Sequence, residues 1–263
     1  MKARLVSLAN AGAVFAALLG VWQLVLWIFR VPPYMLPSPW AVGRAVVARF
    51  PSLMTSLSIT ALEAGGGLVA SIVMGVAVAL FFAQSRWVRR MLYPYTILLQ
   101  TVPIVAIAPL ILMWVGAGSF AVTLIAFIIS LAPVIANTTQ GLISVEENLV
   151  HLFLMHNASR SQVLFKLRLP HAVPSLFVGI RIASGIAVIG AITGELYAGS
   201  SRVGQGGLGY SILYASSQLQ TDYLFALVLA ATVLGFAFFF LVMLLEWHCL
   251  HRWHESARTP EAE

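Results

Sequence analysis

The stretch MLYPYTILLQTVPIVAIAPLILMWVGAGSFAVTLIAFIISLAPVIANTTQGLISV, residues 91–145, carries no charged side chain along its whole length. A membrane-spanning helix needs about 20 consecutive apolar residues, so this one run is long enough for two crossings. Gly116-Ala117-Gly118-Ser119 is the natural place for the turn between them. Further uncharged runs lie on either side: Leu5 to Phe29, Ala64 to Ser85 and Tyr223 to Leu245. A last candidate span, 176–198, is apolar except for Arg181 and Glu195. The reading is an all-α polytopic membrane protein with about six spans, near 5–29, 57–83, 91–115, 120–143, 176–198 and 223–247. Composition agrees: 60% of the 263 residues are hydrophobic and 9% charged, whereas a soluble chain carries roughly a quarter charged residues.

Between the fourth and fifth spans lies a polar, basic insert, residues 144–174, SVEENLVHLFLMHNASRSQVLFKLRLPHAVP. Ser144-x-x-Glu147 and Ser159-x-x-Gln162 are both capping-box patterns, in which the Ser takes a first-turn amide and the Glu or Gln reaches back. They predict helices over about 145–156 and 160–169. Asn157 falls at the break and tolerates a left-handed turn better than any residue but Gly. Pro170 disfavours helical geometry at Leu169 and is expected to end the second helix. The result is a helical knuckle held outside the membrane.

Lys and Arg set the orientation, because basic loops stay in the cytoplasm. With both termini inside, the cytoplasmic segments carry Lys2, Arg4, Arg86, Arg89, Arg90, Arg160, Lys166, Arg168, Arg252 and Arg258. The outer loops carry only Arg30, Arg44, Arg49 and Arg202, which places the 144–174 knuckle in the cytoplasm. The net charge of +6 then reflects attraction to anionic headgroups and calls for no nucleic acid. The run 5–29 is longer than the apolar core of a signal peptide, so a retained first span is expected. The proline-rich segment 30–50 and the segment 199–222 read as outer loops. One cysteine, Cys249, excludes an intrachain disulfide framework and a multi-cysteine metal site.

Gly204-x-Gly206-x-x-Gly209 matches a dinucleotide-binding pattern, but that motif needs a strand before it and a helix after it. Here it follows a membrane span, and flexible backbone or close approach to a partner is the better account. His248, His251 and His254 step about −60° around a helix, so they spiral and do not converge on a metal. A phosphate-cradling loop would need Gly before Lys, and neither Lys2 nor Lys166 follows one. No cofactor, metal site or catalytic group is expected.

Charges inside spans are costly and point to function. Glu195 lies near the outer end of the fifth span, and Glu63 sits at a similar depth in the second. Arg181 precedes Glu195 by about 21 Å along the axis, so the two cannot touch. It either snorkels to the inner headgroups or serves a site. Asn137 in the fourth span needs a hydrogen-bond partner, most simply on a neighbouring helix. The third span holds Pro94, Pro103 and Pro109 with Gln100 and Thr101. Such breaks either line a cavity or serve packing. Gln100, Thr101, Asn137, Arg181, Glu195 and Glu63 are therefore the candidates for a translocation path.

The knuckle resembles the coupling segment of binding-protein-dependent ABC importer permeases, whose signature is Glu-Ala-Ala, three residues, Gly, nine residues, Ile-x-Leu-Pro. The spacing is kept as His151-Leu152-Phe153, Asn157 and Leu167-x-Leu169-Pro170, and Ala158-Ser159 is similar to the stretch after the glycine. Similarity continues through residues 101–118, Pro133 with Asn137 and Gly141, PSLFVGIRIA (174–183), GELYAG (194–199) and GLGY (207–210). The branch it most resembles imports nitrate, sulfonates, taurine, riboflavin or a thiamine precursor. The chain departs from the signature at His151, Leu152, Phe153 and Asn157, and Asn157 can keep the turn.

The resemblance implies that the knuckle docks an ATPase through His151, Phe153, Asn157, Ala158, Ser159, Leu167, Leu169 and Pro170. It also implies two cytoplasmic ATPase subunits and a second permease chain, identical or different. A periplasmic or lipid-anchored binding protein would deliver solute at the outer face. The expected location is the bacterial inner membrane. The main alternative is an ion-coupled secondary transporter using the intramembrane charges, and internal inverted repeats, which would favour it, are not found. A membrane-embedded enzyme would need the three histidines to form a site, which their spiral opposes.

Overall fold

The computed structural model describes residues 2–199 and 206–251. Gly204, Arg202, Arg252, His254 and Arg258 lie outside the described residues. Every described element is helical: α1 (Lys2–Phe29), α2 (Pro39–Ala48), α3 (Phe50–Gln84), α4 (Arg86–Thr101), α5 (Ile104–Val115) and α6 (Ser119–Ile143). Then follow α7 (Glu147–Met155), α8 (Arg160–Val163), α9 (Leu169–Ala198), α10 (Leu208–Ser217) and α11 (Thr221–Leu250). Five helices are long and apolar enough to cross a membrane, or six if α4 and α5 are taken as one broken span.

Small residues make the core. α6 packs against α9 and α3 more extensively than any other helices pack. A Cβ on Gly67 of α3 would lie 2.7 Å from the Ala126 Cβ, and one on Gly190 of α9 would lie 3.0 Å from the Ala126 Cα. Helix backbones meet this closely only where side chains are absent or short, the usual way to associate without a hydrophobic driving force from lipid. α11 closes one side, and α1 stands outside, touching α11 through Trp22 and Phe225 with ring centroids 5.9 Å apart.

The expected turn between the third and fourth spans is present, with Gly116 at φ 92° and Gly118 at φ 148°. The third span itself is not one helix. α4 and α5 are bent 98° apart across Val102 and Pro103, both extended. Pro103 drives Val102 out of helical geometry, whereas Pro94 and Pro109 are accommodated inside α4 and α5.

Two segments read as loops contain helices. α2 starts where the Ser38 hydroxyl accepts from the Ala41 amide at 3.2 Å and Pro39 takes the first turn, a favoured place for proline. α10 fills 208–217, with Gly207 at its N-cap.

The knuckle keeps one expected cap and loses the other. Ser159 and Gln162 form a full capping box, with Gln162 Oε1 accepting from the Ser159 amide at 2.7 Å. Ser144 caps nothing there: it ends α6, its hydroxyl donating to the Gly141 carbonyl at 3.1 Å, so α7 starts at Glu147. At the break, Asn157 has φ 54°, and the Ala158 and Asn157 amides donate to the Phe153 and Leu154 carbonyls, each at 3.0 Å. That is a Schellman C-cap.

Pro170 does not end the second helix. A π-helical turn over Leu164–Arg168 carries α8 directly into α9, so residues 160–198 run as one rod. Pro170 sits in the first turn of α9, and the widened turn, with the Leu169 amide donating to the Leu164 carbonyl, absorbs the missing donor. The helix that contains the expected span 176–198 therefore begins in the knuckle.

Candidate functional site

The knuckle sits at one end of the bundle. Arg168 Nη1 donates to the Ala83 carbonyl at the end of α3, 3.2 Å away, and Leu169 packs with Ala79, Leu142, Leu164 and Ala172. Leu169 is thus a core anchor that fixes the knuckle to α3, α6 and α9. Leu167 and Pro170 are half-buried beside it, while His151, Asn157 and Ser159 are exposed. A shallow depression of about 320 Å³ opens on the knuckle, lined by Leu152, Phe153, His156, Ala158, Gln162 and Lys166. Phe153 and Ala158 of the sequence-derived docking set meet there. Leu152 in its lining is about half exposed, at 50%, which is apolar surface available to a partner.

A second constellation lies at the opposite end of the bundle. Glu195 and Glu63 are buried, at 3% and 5% exposed, and Glu63 Oε2 has no hydrogen-bond partner. The Thr60 hydroxyl donates to Glu195 Oε1 at 2.7 Å and accepts from the Leu208 amide at 2.8 Å. The Gly209 amide donates to Glu195 Oε2 at 2.6 Å. Glu195 therefore ties the first turn of α10 to α9 and α3, satisfying amides that a helix start leaves without partners. The glycines of GLGY follow from this packing, since a Cβ on Gly207 would fall 1.9 Å from Glu195 Oε1. The close approach expected of Gly206 and Gly209 is thus made within the chain. The nearby Ser56 and Ser211 hydroxyls, 2.8 Å apart, stitch α3 to α10 again.

Arg181 forms an ion pair with Glu246 of α11, its guanidinium 6.0 Å from the Phe239 ring centroid. It is neutralised across the bundle and does not merely snorkel. Glu246 lies near the inner end of the expected span 223–247 and was not singled out, because nothing close to it in the sequence points to Arg181 as its partner. Arg181 and Glu195 stay apart, as helix geometry requires. Asn137 finds its partner on its own helix, Nδ2 donating to the Pro133 carbonyl at 2.9 Å. The neighbouring helix α9 packs bare backbone here: a Cβ on Gly179 would lie 3.0 Å from the Asn137 Cβ and 3.0 Å from the Pro133 carbonyl oxygen. Gln100 is exposed at the α4–α5 break, and Thr101 donates to the Leu98 carbonyl at 2.9 Å. His248 and His251 rings lie 6.2 Å apart, and His251 stacks on Trp247 at 4.7 Å.

The family of binding-protein-dependent transport system inner membrane components matches residues 67–248, a range holding the knuckle, Glu195 and Arg181 with Glu246. A probable ABC transporter permease protein of Haemophilus influenzae is 33% identical over 91% of this chain and 94% of its own. A riboflavin transport system permease protein of Chloroflexus aurantiacus is 32% identical over 91% of this chain and 88% of its own. A formylaminopyrimidine transport permease protein of Halalkalibacterium halodurans is 30% identical over 88% and 91%. With two separate constellations at opposite ends of one helical bundle, the chain belongs to the family of binding-protein-dependent transport system inner membrane components, as the multi-pass permease subunit of an ABC importer whose ATPase is a separate polypeptide.

Proposed function

We propose that residues 144–174 are the cytoplasmic coupling segment and that the Glu195 end faces the external binding protein, with both termini inside. The transporter partners of such a permease are an ATPase and a substrate-binding protein. In our reading two ATPases each grip one knuckle of a permease pair. ATP-driven closure moves the knuckles, and the rigid rod 160–198 carries that motion through the π-turn to the Glu195 latch on α10. The single observation behind this is the continuity of the rod, which joins a Schellman-capped surface knuckle to the buried carboxylate at the far end without a flexible link. The cargo is a small water-soluble organic molecule, of the kind named for relatives that carry riboflavin, formylaminopyrimidine and taurine. An ion-coupled mechanism finds no support: Arg181 is paired with Glu246, and Glu195 is held by Thr60 and Gly209.

The test is Asn157→Val. A β-branched residue at φ 54° costs about 1–2 kcal/mol or more in the left-handed region, so the knuckle rearranges while the bundle stays intact. Expected are normal membrane abundance, loss of co-purification with the ATPase, and loss of ATP-dependent uptake. Unchanged, vanadate-sensitive uptake by the variant refutes the coupling role.

A further inference from the structure

The knuckle has a second face, turned toward the ends of α3, α4 and α6, and it bounds a cavity of about 1290 Å³ against them. All the charged residues in its lining are arginines: Arg86, Arg89 and Arg90 from α4, Arg160 from α8 and Arg168 from the π-turn. No carboxylate lines it, and among the described residues the one ion pair in the chain is Arg181 with Glu246, far from here. Like charges gathered from separate segments onto one concave surface repel one another unless an anion sits among them. A merely solvated basic patch would splay outward.

Two buried donors strengthen the reading. Thr139 Oγ1, on a residue 1% exposed, and Arg168 Nε are both buried without a hydrogen-bond partner, and both residues line this cavity. Buried donors without acceptors are rare and call for an occupant. The positive end of α4, a helix of 16 residues capped by Ser85, adds its dipole at Arg86. The occupant's chemistry follows: arginine forks and hydroxyls match the oxygens of a phosphate.

The apolar part of the wall identifies the source. Tyr93, Pro94, Leu154 and Phe165 line the same cavity, and Met91, Leu92 and Tyr95 are exposed on α4 directly beyond its arginines. A helix with arginines in its first turns and exposed apolar residues in the next lies where headgroups meet acyl chains. We propose that the cavity between the knuckle and α4 binds the phosphate of an anionic phospholipid, tying the coupling segment to the inner leaflet. The proposal rests on the cytoplasmic placement of the knuckle only for the choice of leaflet.

The experiment uses the assembled permease–ATPase complex and the permease purified alone, so that failure to assemble is read separately from failure to bind lipid. Phospholipid retained after mild delipidation is measured by mass spectrometry for wild type, Arg89→Gln/Arg168→Gln and Arg160→Gln. Arg44→Gln, an exposed arginine of α2, controls for net charge. Wild type and Arg44→Gln are expected to retain phosphatidylglycerol or cardiolipin, and the cavity variants to lose it several-fold while eluting as monodisperse protein. In vesicles, exchanging phosphatidylcholine for phosphatidylglycerol should raise wild-type ATPase activity several-fold and leave the double variant unmoved. If inorganic phosphate added to phosphatidylcholine vesicles gives the same rise, the site binds phosphate from solution and the lipid source is overturned. Equal lipid retention in all variants, or crosslinking of the cavity arginines to an acidic segment of the ATPase, overturns the site itself.

Discussion

Glu195 is held by two donors of different kinds, a hydroxyl that can rotate and an amide that cannot, and this decides which substitutions it tolerates. In Glu195→Gln the amide oxygen still accepts from the Gly209 amide. The new NH₂ donates to Thr60 Oγ1, whose proton turns to the Ser56 carbonyl, 3.1 Å away. Both hydrogen bonds are kept, so the effect on stability is expected to stay within about 1 kcal/mol. Glu195→Leu strands the Gly209 amide in a buried site and should cost about 1–3 kcal/mol. Gly207→Ala forces a Cβ into the carboxylate oxygen that it would approach to 1.9 Å, an overpacking worth about 1–3 kcal/mol. Thermal unfolding in detergent, with wild type, Gln, Leu and Gly207→Ala side by side, checks the order. If Gln is as damaging as Leu, charge and not hydrogen-bond geometry holds α10.

Among the elements, the neighbouring helices α9 and α11 are joined by Arg181 and Glu246, which are 34% and 19% exposed. Glu246→Gln leaves Arg181 Nε, already without an acceptor, on a side chain stripped of its counter-charge. A loss of about 1–3 kcal/mol is expected, and the charge swap Arg181→Glu/Glu246→Arg should recover part of it. A swap no better than the sum of the two single variants would mean that the ion pair does not hold α11. This pairing was not legible in the sequence, because it joins residues far apart in the chain and Glu246 lies at the end of its run. What was legible rests on local chemistry: the Asn157 turn, the Ser159–Gln162 capping box and the Gly116–Ser119 reversal each follow from residues within a few positions. The limits of local chemistry show equally well. Ser144-x-x-Glu147 carries the same pattern as Ser159-x-x-Gln162, yet Ser144 is consumed by the end of α6. Pro94, Pro103 and Pro109 look alike, yet only Pro103 separates two helices, while Pro94 and Pro109 lie inside α4 and α5. α2 and α10 escaped because hydropathy sorts a membrane chain into spans and loops, and a short helix outside the spans has no place in that scheme.

For the molecule as a whole, the weight of packing falls on α3, α6 and α9, and the family match begins at residue 67, inside α3. α1 contributes little to that core. No part of its apolar window Gly12–Phe29 is buried, and its described side-chain contact is the tilted pair Trp22 and Phe225. The segment after it is held independently, with the Thr221 hydroxyl donating to the Tyr34 carbonyl at 2.8 Å. Over its described side chains α1 is therefore peripheral, and the rest of the bundle is expected to stay folded without it. Deleting it would confuse stability with insertion, because the first span helps to set topology. A protease site placed between Tyr34 and Met35, both well exposed, avoids this by cutting after the protein is in the membrane. The nicked protein should elute as monodisperse as the intact one and unfold within a few degrees of it, a shift of about 1 kcal/mol or less at this chain length. Aggregation on cutting would show instead that α1 shields the exposed faces of α11, and that the stable unit extends beyond the small-residue core.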